Sequence, residues 1–229
     1  MNYFDVLENK RKHVFKYTDR IPDKEIIEDC LYKAWKTTPS KNQAMPYKVY
    51  VWGPEHKEEK IKIHKLVNRR HHEVELQAVK DGKQKSTQQG IENPYYEHVK
   101  YNPYLFTIHM RQAKPNKFYQ DQIKKGHWFD QGDPTRMNKN IDITAVEVGL
   151  FAQNLSYYLL EKGLDISYNS TFSRDVREWR DELGYKTEGR PITMISCGYA
   201  KQYRWQILQA ENKTDWDKKP DIGDIIKWQ

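Results

Sequence analysis

Polar residues that could do chemistry gather at three places in the sequence, each beside a segment with the pattern of an ordered element. Arg11, Lys12 and His13 follow an amphipathic opening. A guanidinium with a second cation beside it suits a phosphate monoester, through charge-assisted bidentate hydrogen bonds. The run Pro39-Ser40-Lys41-Asn42-Gln43-Ala44-Met45-Pro46-Tyr47 is dense in hydroxyl and amide groups. Such groups can read the edge of a heteroaromatic ring, although turn chemistry alone would use the same residues. Lys218 and Lys219, ahead of Pro220, form a further basic pair. Other chemistries lack their residues. His64, His71 and His72 have no HExxH or carboxylate-histidine partner pattern, so no metal site is expected. There is no GxSxG elbow for a nucleophilic serine and no glycine-rich phosphate loop of the GxGxxG or GxxxxGK[ST] kind.

The elements that must position these clusters are legible from periodicity. Pro22 and the acids Asp23 and Glu25 open a helix on which Ile26, Ile27, Cys30, Leu31, Ala34 and Trp35 recur at helical spacing, so all six are expected in the core. Residues 46–52 alternate and stop at Gly53-Pro54, as a strand does. A helical pattern covers 55–79, solvated loop 80–93, a second strand 103–110 and an irregular polar stretch 111–140. The strongest helical pattern is 141–162, closed by Lys162 and Gly163. A short strand at 164–168, a helix at 173–183 closed by Gly184, and the apolar strand 191–199 follow; the last should be central. One α+β domain over residues 1–229 is the reading.

Composition narrows the classes. A mean hydropathy of -1.01 would permit disorder, but 16 Tyr, 7 Trp and 7 Phe supply a core, or rings to stack on something flat. No stretch approaches the roughly 20 apolar residues of a bilayer span, and Met1 to Asp5 lack a secretory signature. Cys30 and Cys197 lie far apart and read as small buried hydrophobes in a reducing compartment. A cytoplasmic protein without membrane contact is the expectation. The pI of 9.1 permits nucleic acid or an anionic ligand, but a net charge of +7 spread over 229 residues argues weakly for either.

The order of the pieces says more than any single one. Lys10-Arg11-Lys12-His13-Val14-Phe15-Lys16-Tyr17, a proline, an amphipathic helix, then Thr38-Pro39-Ser40 to Met45-Pro46-Tyr47 and a strand resembles the nitroreductase family. That family typically shows an Arg-x-Ser-x-Arg/Lys-x-Phe opening and a Pro-Ser-x-x-Asn-x-Gln-Pro-Trp loop. Glu147 to Leu155 looks like its central dimer helix. Lys162-Gly163-Leu164 followed by Tyr168-Asn169-Ser170-Thr171-Phe172 looks like its Gly-Leu-Gly segment. Arg190-Pro191 through Cys197-Gly198-Tyr199-Ala200 matches its closing strand, and Lys218-Lys219-Pro220 falls at its C-terminal basic pair.

The resemblance implies a nitroreductase-like fold: a central, mostly antiparallel sheet flanked by helices, with FMN at a homodimer interface. It implies that Arg11, with Lys12 and His13 beside it, holds the flavin phosphate from one subunit, and that Lys218 or Lys219 shares that load. Ser40 and Asn42 or Gln43 would reach the ribityl chain and ring edge from the other subunit. Asn169 and the backbone groups of Ser170 and Thr171 would lie near the flavin N5. Segments 80–100 and 111–140 are candidate lid or substrate-channel inserts, with Tyr95, Tyr96, His127, Trp128 and Phe129 roofing the pocket; a satellite core under long loops is the competing reading.

The implied activity is reduction of a small-molecule electron acceptor, nitroaromatic or quinone-like, by NAD(P)H through a ping-pong hydride mechanism, with the cofactor carrying the chemistry. Departures from the family pattern motivate a rival. His13 replaces its serine, Phe15 stands where a cation often contacts the flavin pyrimidine, Met45-Pro46-Tyr47 replaces Gln-Pro-Trp, and Asp165 replaces a glycine. The rival is a flavin-binding or flavin-modifying protein without nicotinamide turnover. A basic nucleic-acid-binding module is a third reading, ranked last.

Overall fold

Strand Tyr104–Met110 shows why the sheet forms where it does. Tyr104, Phe106 and Ile108 point to one face and Leu105, Thr107 and His109 to the other, and all six are buried. A strand covered on both faces reads as a continuous apolar run, with helices above and below it. The computed structural model describes residues 3–86, 92–111, 113, 115–126, 141–213 and 218–228. Its elements in chain order are α1 (Tyr3–Lys10), β1 (Val14–Tyr17), α2 (Lys24–Thr37), β2 (Tyr47–Trp52), α3 (Lys57–Lys80), α4 (Glu97–Lys100) and β3 (Tyr104–Met110). They continue with α5 (Lys117–Lys124), α6 (Ile141–Glu161), β4 (Asp165–Asn169), α7 (Val176–Leu183), β5 (Pro191–Gly198), β6 (Ala200–Tyr203), α8 (Arg204–Ala210) and α9 (Ile222–Ile225).

The main sheet has the order β2-β3-β5-β4, and every neighbouring pair is antiparallel. Strand β5 is interior, as its apolar sequence required. On one face Ile27, Cys30 and Ala34 of α2 and Phe151, Leu155 and Leu159 of α6 pack over Phe106, Ile108, Ile166 and Ile195. On the other, Ile63, Leu66 and Val67 of α3 and Trp179 and Leu183 of α7 pack over Trp52, Leu105 and Met194. Buried indoles keep their N–H groups satisfied: Trp52 Nε1 donates to Thr107 Oγ1 at 3.0 Å and Trp179 Nε1 to Ser173 O at 2.7 Å.

A separate antiparallel pair, β1 with β6, brings the residues after Arg11 beside Arg204. Asp165 locks this pair to the main sheet, accepting from the Ala200 amide at 2.9 Å and the Tyr203 hydroxyl at 2.8 Å. Partial burial and that bond push the Tyr203 hydroxyl up to about 12. The departure from glycine at position 165 thus has a structural use. Helix α7 ends as its sequence indicated, with Gly184 left-handed at φ 62°.

Some expectations are corrected. Trp35 is 52% exposed: the stripe Ile27, Cys30, Ala34 fills the sheet-facing side of α2, and Trp35, one residue further round, rims a groove instead. Val74 and Leu76 of α3 are exposed as well, because the buried residues of that helix, from Lys60 to Asn68, lie in its first half. The stretch read as irregular contains helix α5. The end of the stretch read as solvated loop 80–93 is anchored: Asn68 Oδ1 accepts from the Asn93 amide at 2.6 Å, and just beyond it His64 Nδ1 lies 3.1 Å from Tyr96 O, tying the segment to α3. His127, Trp128 and Phe129 lie outside the described residues. No helix among the described residues is long and apolar enough to cross a membrane.

Candidate functional site

Arg11 occupies the turn between α1 and β1, exposed, with its guanidinium 5.5 Å from the centroid of the Tyr168 ring. That ring is fixed, its hydroxyl donating to Ala152 O of α6 at 2.8 Å. Together they open a cavity of about 310 Å³ bordered by Val148, Gly149, Gln153 and Thr193. At Gly149 an added Cβ would meet nothing within 4 Å, so the backbone of α6 lies open there.

Lys12 is exposed, whereas His13 turns inward. Its ring sits edge-to-face on His98, centroids 5.3 Å apart, with Nδ1 3.0 Å from Ser167 Oγ. Burial, and then the charges of Arg204 and Arg11, depress His13 to about 4. Both guanidiniums therefore act on the same neutral imidazole, and neither forms an ion pair among the described residues. Arg204 was missed in the sequence, where it looks like one more arginine opening a surface helix. It lies 5.8 Å from the Tyr95 ring centroid, and Tyr95 meets Phe15 edge-to-face at 5.6 Å. Tyr95 thus joins the Arg204 and His13 group, while Tyr96 faces α3, its ring 5.3 Å from that of His71. Lys218 and Lys219 are exposed in the segment that carries α9.

The second cluster is conformationally costly. Asn42, Gln43 and Met45 all have positive φ, at 55°, 52° and 45°. Each such non-glycine residue costs about 1–2 kcal/mol, so the surroundings must over-determine the loop. They do. Ser40 Oγ accepts from the Met45 amide at 2.8 Å, and Glu147 Oε1 of α6 accepts from the Lys41 amide at 3.0 Å. Arg111 donates to Met45 O at 2.7 Å and Ala44 O at 2.9 Å, and the Asn116 amide donates to Asn42 O at 3.1 Å. Asn154 of α6 donates to Thr38 Oγ1 at 3.1 Å just upstream. Ser40, Asn42 and Gln43 are each at least partly accessible on this rigid ledge.

The third cluster follows β4. Asn169 is 5% exposed; its Oδ1 accepts from the Thr171 amide at 2.8 Å, while its Nδ2 is buried without a partner. Ser170 and Thr171 border a cavity of about 520 Å³ with Phe172, Arg70, Arg174 and Arg190.

Helix α6 separates the first two clusters. With about 100° between successive residues, Glu147 and Asn154, which hold the Ser40 loop, share one face. Gly149 and Gln153, beside Arg11, lie on nearly the opposite one. Between them runs a solvent-facing stripe in which Val146 is 64% and Leu150 42% exposed. One chain cannot close the loop onto its own Arg11 cavity.

The model of the Nitroreductase family matches residues 9–199. No curated protein matches the chain in sequence. Among solved structures, the chain is similar to oxidised iodotyrosine deiodinase bound to FMN and 3-iodo-L-tyrosine, at 17% identity and a TM-score of 0.59, over 89% of this chain and 92% of that one. It is similar to a nitroreductase family protein from Streptococcus pneumoniae at 16% identity and a TM-score of 0.61, with 100% of both chains covered. A nitroreductase from B. subtilis aligns at 16% identity and a TM-score of 0.60, over 100% of this chain and 74% of that one. At these identities the likeness to solved structures is one of fold.

Proposed function

Because the chain belongs to the nitroreductase family, we propose that it is an FMN-dependent oxidoreductase, a cytoplasmic homodimer that reduces nitroaromatic or quinone-like acceptors with NAD(P)H. The observation that supports this reading is the arrangement about α6, where the cavity beside Arg11 and the Ser40–Met45 loop face apart within one chain, as they would if each served a site shared with a second copy. The donor set fits the cofactor. Arg11 offers a guanidinium to a phosphate at the cavity it borders with Gln153 and Thr193, and the orphaned Nδ2 of Asn169 offers a buried donor near Ser170 and Thr171.

Bound FMN would supply the hydride exchange between nicotinamide and acceptor. The chain's own groups bind and orient. Arg11 fixes the phosphate end, and the strained Ser40–Met45 ledge presents fixed amides and hydroxyls to the partner's cavity. No side chain need donate or accept a proton at the reacting carbon.

Purified protein should show flavin absorption, and its colour should bleach with NADH or NADPH and return with a quinone. A colourless preparation that takes up no added FMN would sink the proposal. A second reading keeps the flavin but not the turnover: Phe15, 9% exposed against Tyr95, is an apolar ring where a cation would stabilise reduced flavin. A yellow protein that neither nucleotide bleaches would favour it.

Pairing is tested at the stripe. Leu150→Glu places a charge on a helix face that needs no burial within its own chain, so the fold should survive while the dimer dissociates. Analytical ultracentrifugation should show monomer for the variant, with flavin lost in parallel. A variant that stays dimeric would move the interface elsewhere, for instance to Ile222, Ile225 and Trp228, which are 70% or more exposed.

A further inference from the structure

We infer that the cavity between α3, the Ser170–Arg174 turn and Arg190 binds the oxyanion of a small substrate, a carboxylate or phosphate monoester, and holds that substrate beside Ser170 and Thr171. This deepens the proposed function and rests on it for the identity of the reaction. Three arginines from distant parts of the chain border this space of about 520 Å³, a volume within the range of small-molecule sites.

Arg174 is preorganised. Its Nη1 donates to Ile192 O at 2.6 Å and Pro191 O at 3.2 Å, Nη2 reaches Ser170 O at 3.4 Å, and the guanidinium lies 5.0 Å from the Phe172 ring centroid. A cation fixed in this way loses little entropy when an anion arrives. Of the carboxylates on the cavity wall, Glu73 pairs with Arg70 at 3.0 Å, while Glu178 lies 3.6 Å from Arg69, which it shares with Glu182, and its Oε2 accepts no hydrogen bond among the described residues. Arg174 and Arg190 are left in excess, with no ion pair among the described residues. Burial, then the nearby charges of Arg190 and Arg70, hold Arg174 below the ordinary arginine range. An anion among the three would relieve that repulsion. The hydroxyls of Ser170, Thr171 and Ser173 complete a polar wall suited to oxygen acceptors, and Arg190 also rims the adjoining groove along β2, so the site is reached from solvent.

The test uses Arg190→Gln, because this exposed side chain makes no hydrogen bond or ion pair among the described residues, whereas replacing Arg174 would strip donors from three carbonyls. Two ratios of kcat/KM are read: 4-nitrobenzoate over 4-nitrobenzamide with NADH, and NADPH over NADH with the neutral acceptor. A charge-assisted contact predicts that the variant lowers one ratio about tenfold. A fall in the first assigns the oxyanion to the acceptor, and a fall in the second to the dinucleotide's extra phosphate. Two unmoved ratios overturn the inference. Flavin absorbance of both proteins separates this result from failure of the proposed function. Should neither protein bind FMN, calorimetric titration with benzoate decides instead: affinity about tenfold weaker in the variant supports the site, and no heat with wild type overturns it.

Discussion

Arg11→Ala is expected to weaken FMN binding about a hundredfold, the loss of charge-assisted bonds worth together about 2.7 kcal/mol. The side chain is exposed, with its guanidinium over the Tyr168 ring, so the fold should be spared. Fluorescence titration gives the affinity, and riboflavin supplies the control. Without a phosphate, riboflavin should bind wild type and variant alike. Lys12→Ala, on the neighbouring exposed side chain, should cost several-fold less. Equal losses for FMN and riboflavin would show that Arg11 shapes the cavity rather than grips the phosphate. An unchanged FMN affinity would remove the residue from the site.

Acid should unfold the protein well above the pH at which its carboxylates are protonated. Burial depresses His98 to about 3, with the nearby His13 adding to it, and depresses His109 to about 4. His13 stands at about 4 for the reasons given above. All three folded values lie below the unfolded value near 6.5. Between 6.5 and 4, therefore, the unfolded chain takes up protons that the native state refuses, and stability falls as pH falls. Summed over three rings the loss is about 4 kcal/mol at pH 5.5 and about 6 kcal/mol at pH 5. A domain holds about 5–15 kcal/mol in all. Urea melts at pH 7 and pH 5.5 should show the difference, and His109→Gln should remove about a third of it. Identical melts at both pH values would mean that these rings are not buried as described.

Much of the fold was legible because its elements obey simple periods. Residues 46–52 alternate, 103–110 form a largely apolar run, the helix over 141–162 repeats its apolar residues, and Gly163 and Gly184 mark ends. Trp35 was misjudged because a helical stripe predicts a face but not its width, and α2 needs only three small or medium residues to cover its part of the sheet. The site was harder. Arg11 and the Ser40–Met45 loop could be found since each is a local cluster beside an ordered element. Arg204, Arg174 and Arg190 could not, because their meaning depends on β1 pairing with β6 and on β4 lying beside β5. Those are contacts between residues far apart in sequence, and no local spacing encodes them. Positive φ at Asn42, Gln43 and Met45 was equally hidden, as glutamine and methionine are not residues that announce a left-handed turn.

On the proposed reading Glu147 and Asn154 give helix α6 a double duty, for the rod that would offer Val146 and Leu150 to a neighbour also clamps the ledge that would serve that neighbour's ligand, and assembly and cofactor loading are then thermodynamically linked. Whatever factor flavin adds to the affinity of one subunit for the other, association must return to the affinity for flavin. Dilution would therefore bleach such a protein, and an excess of cofactor would hold it together.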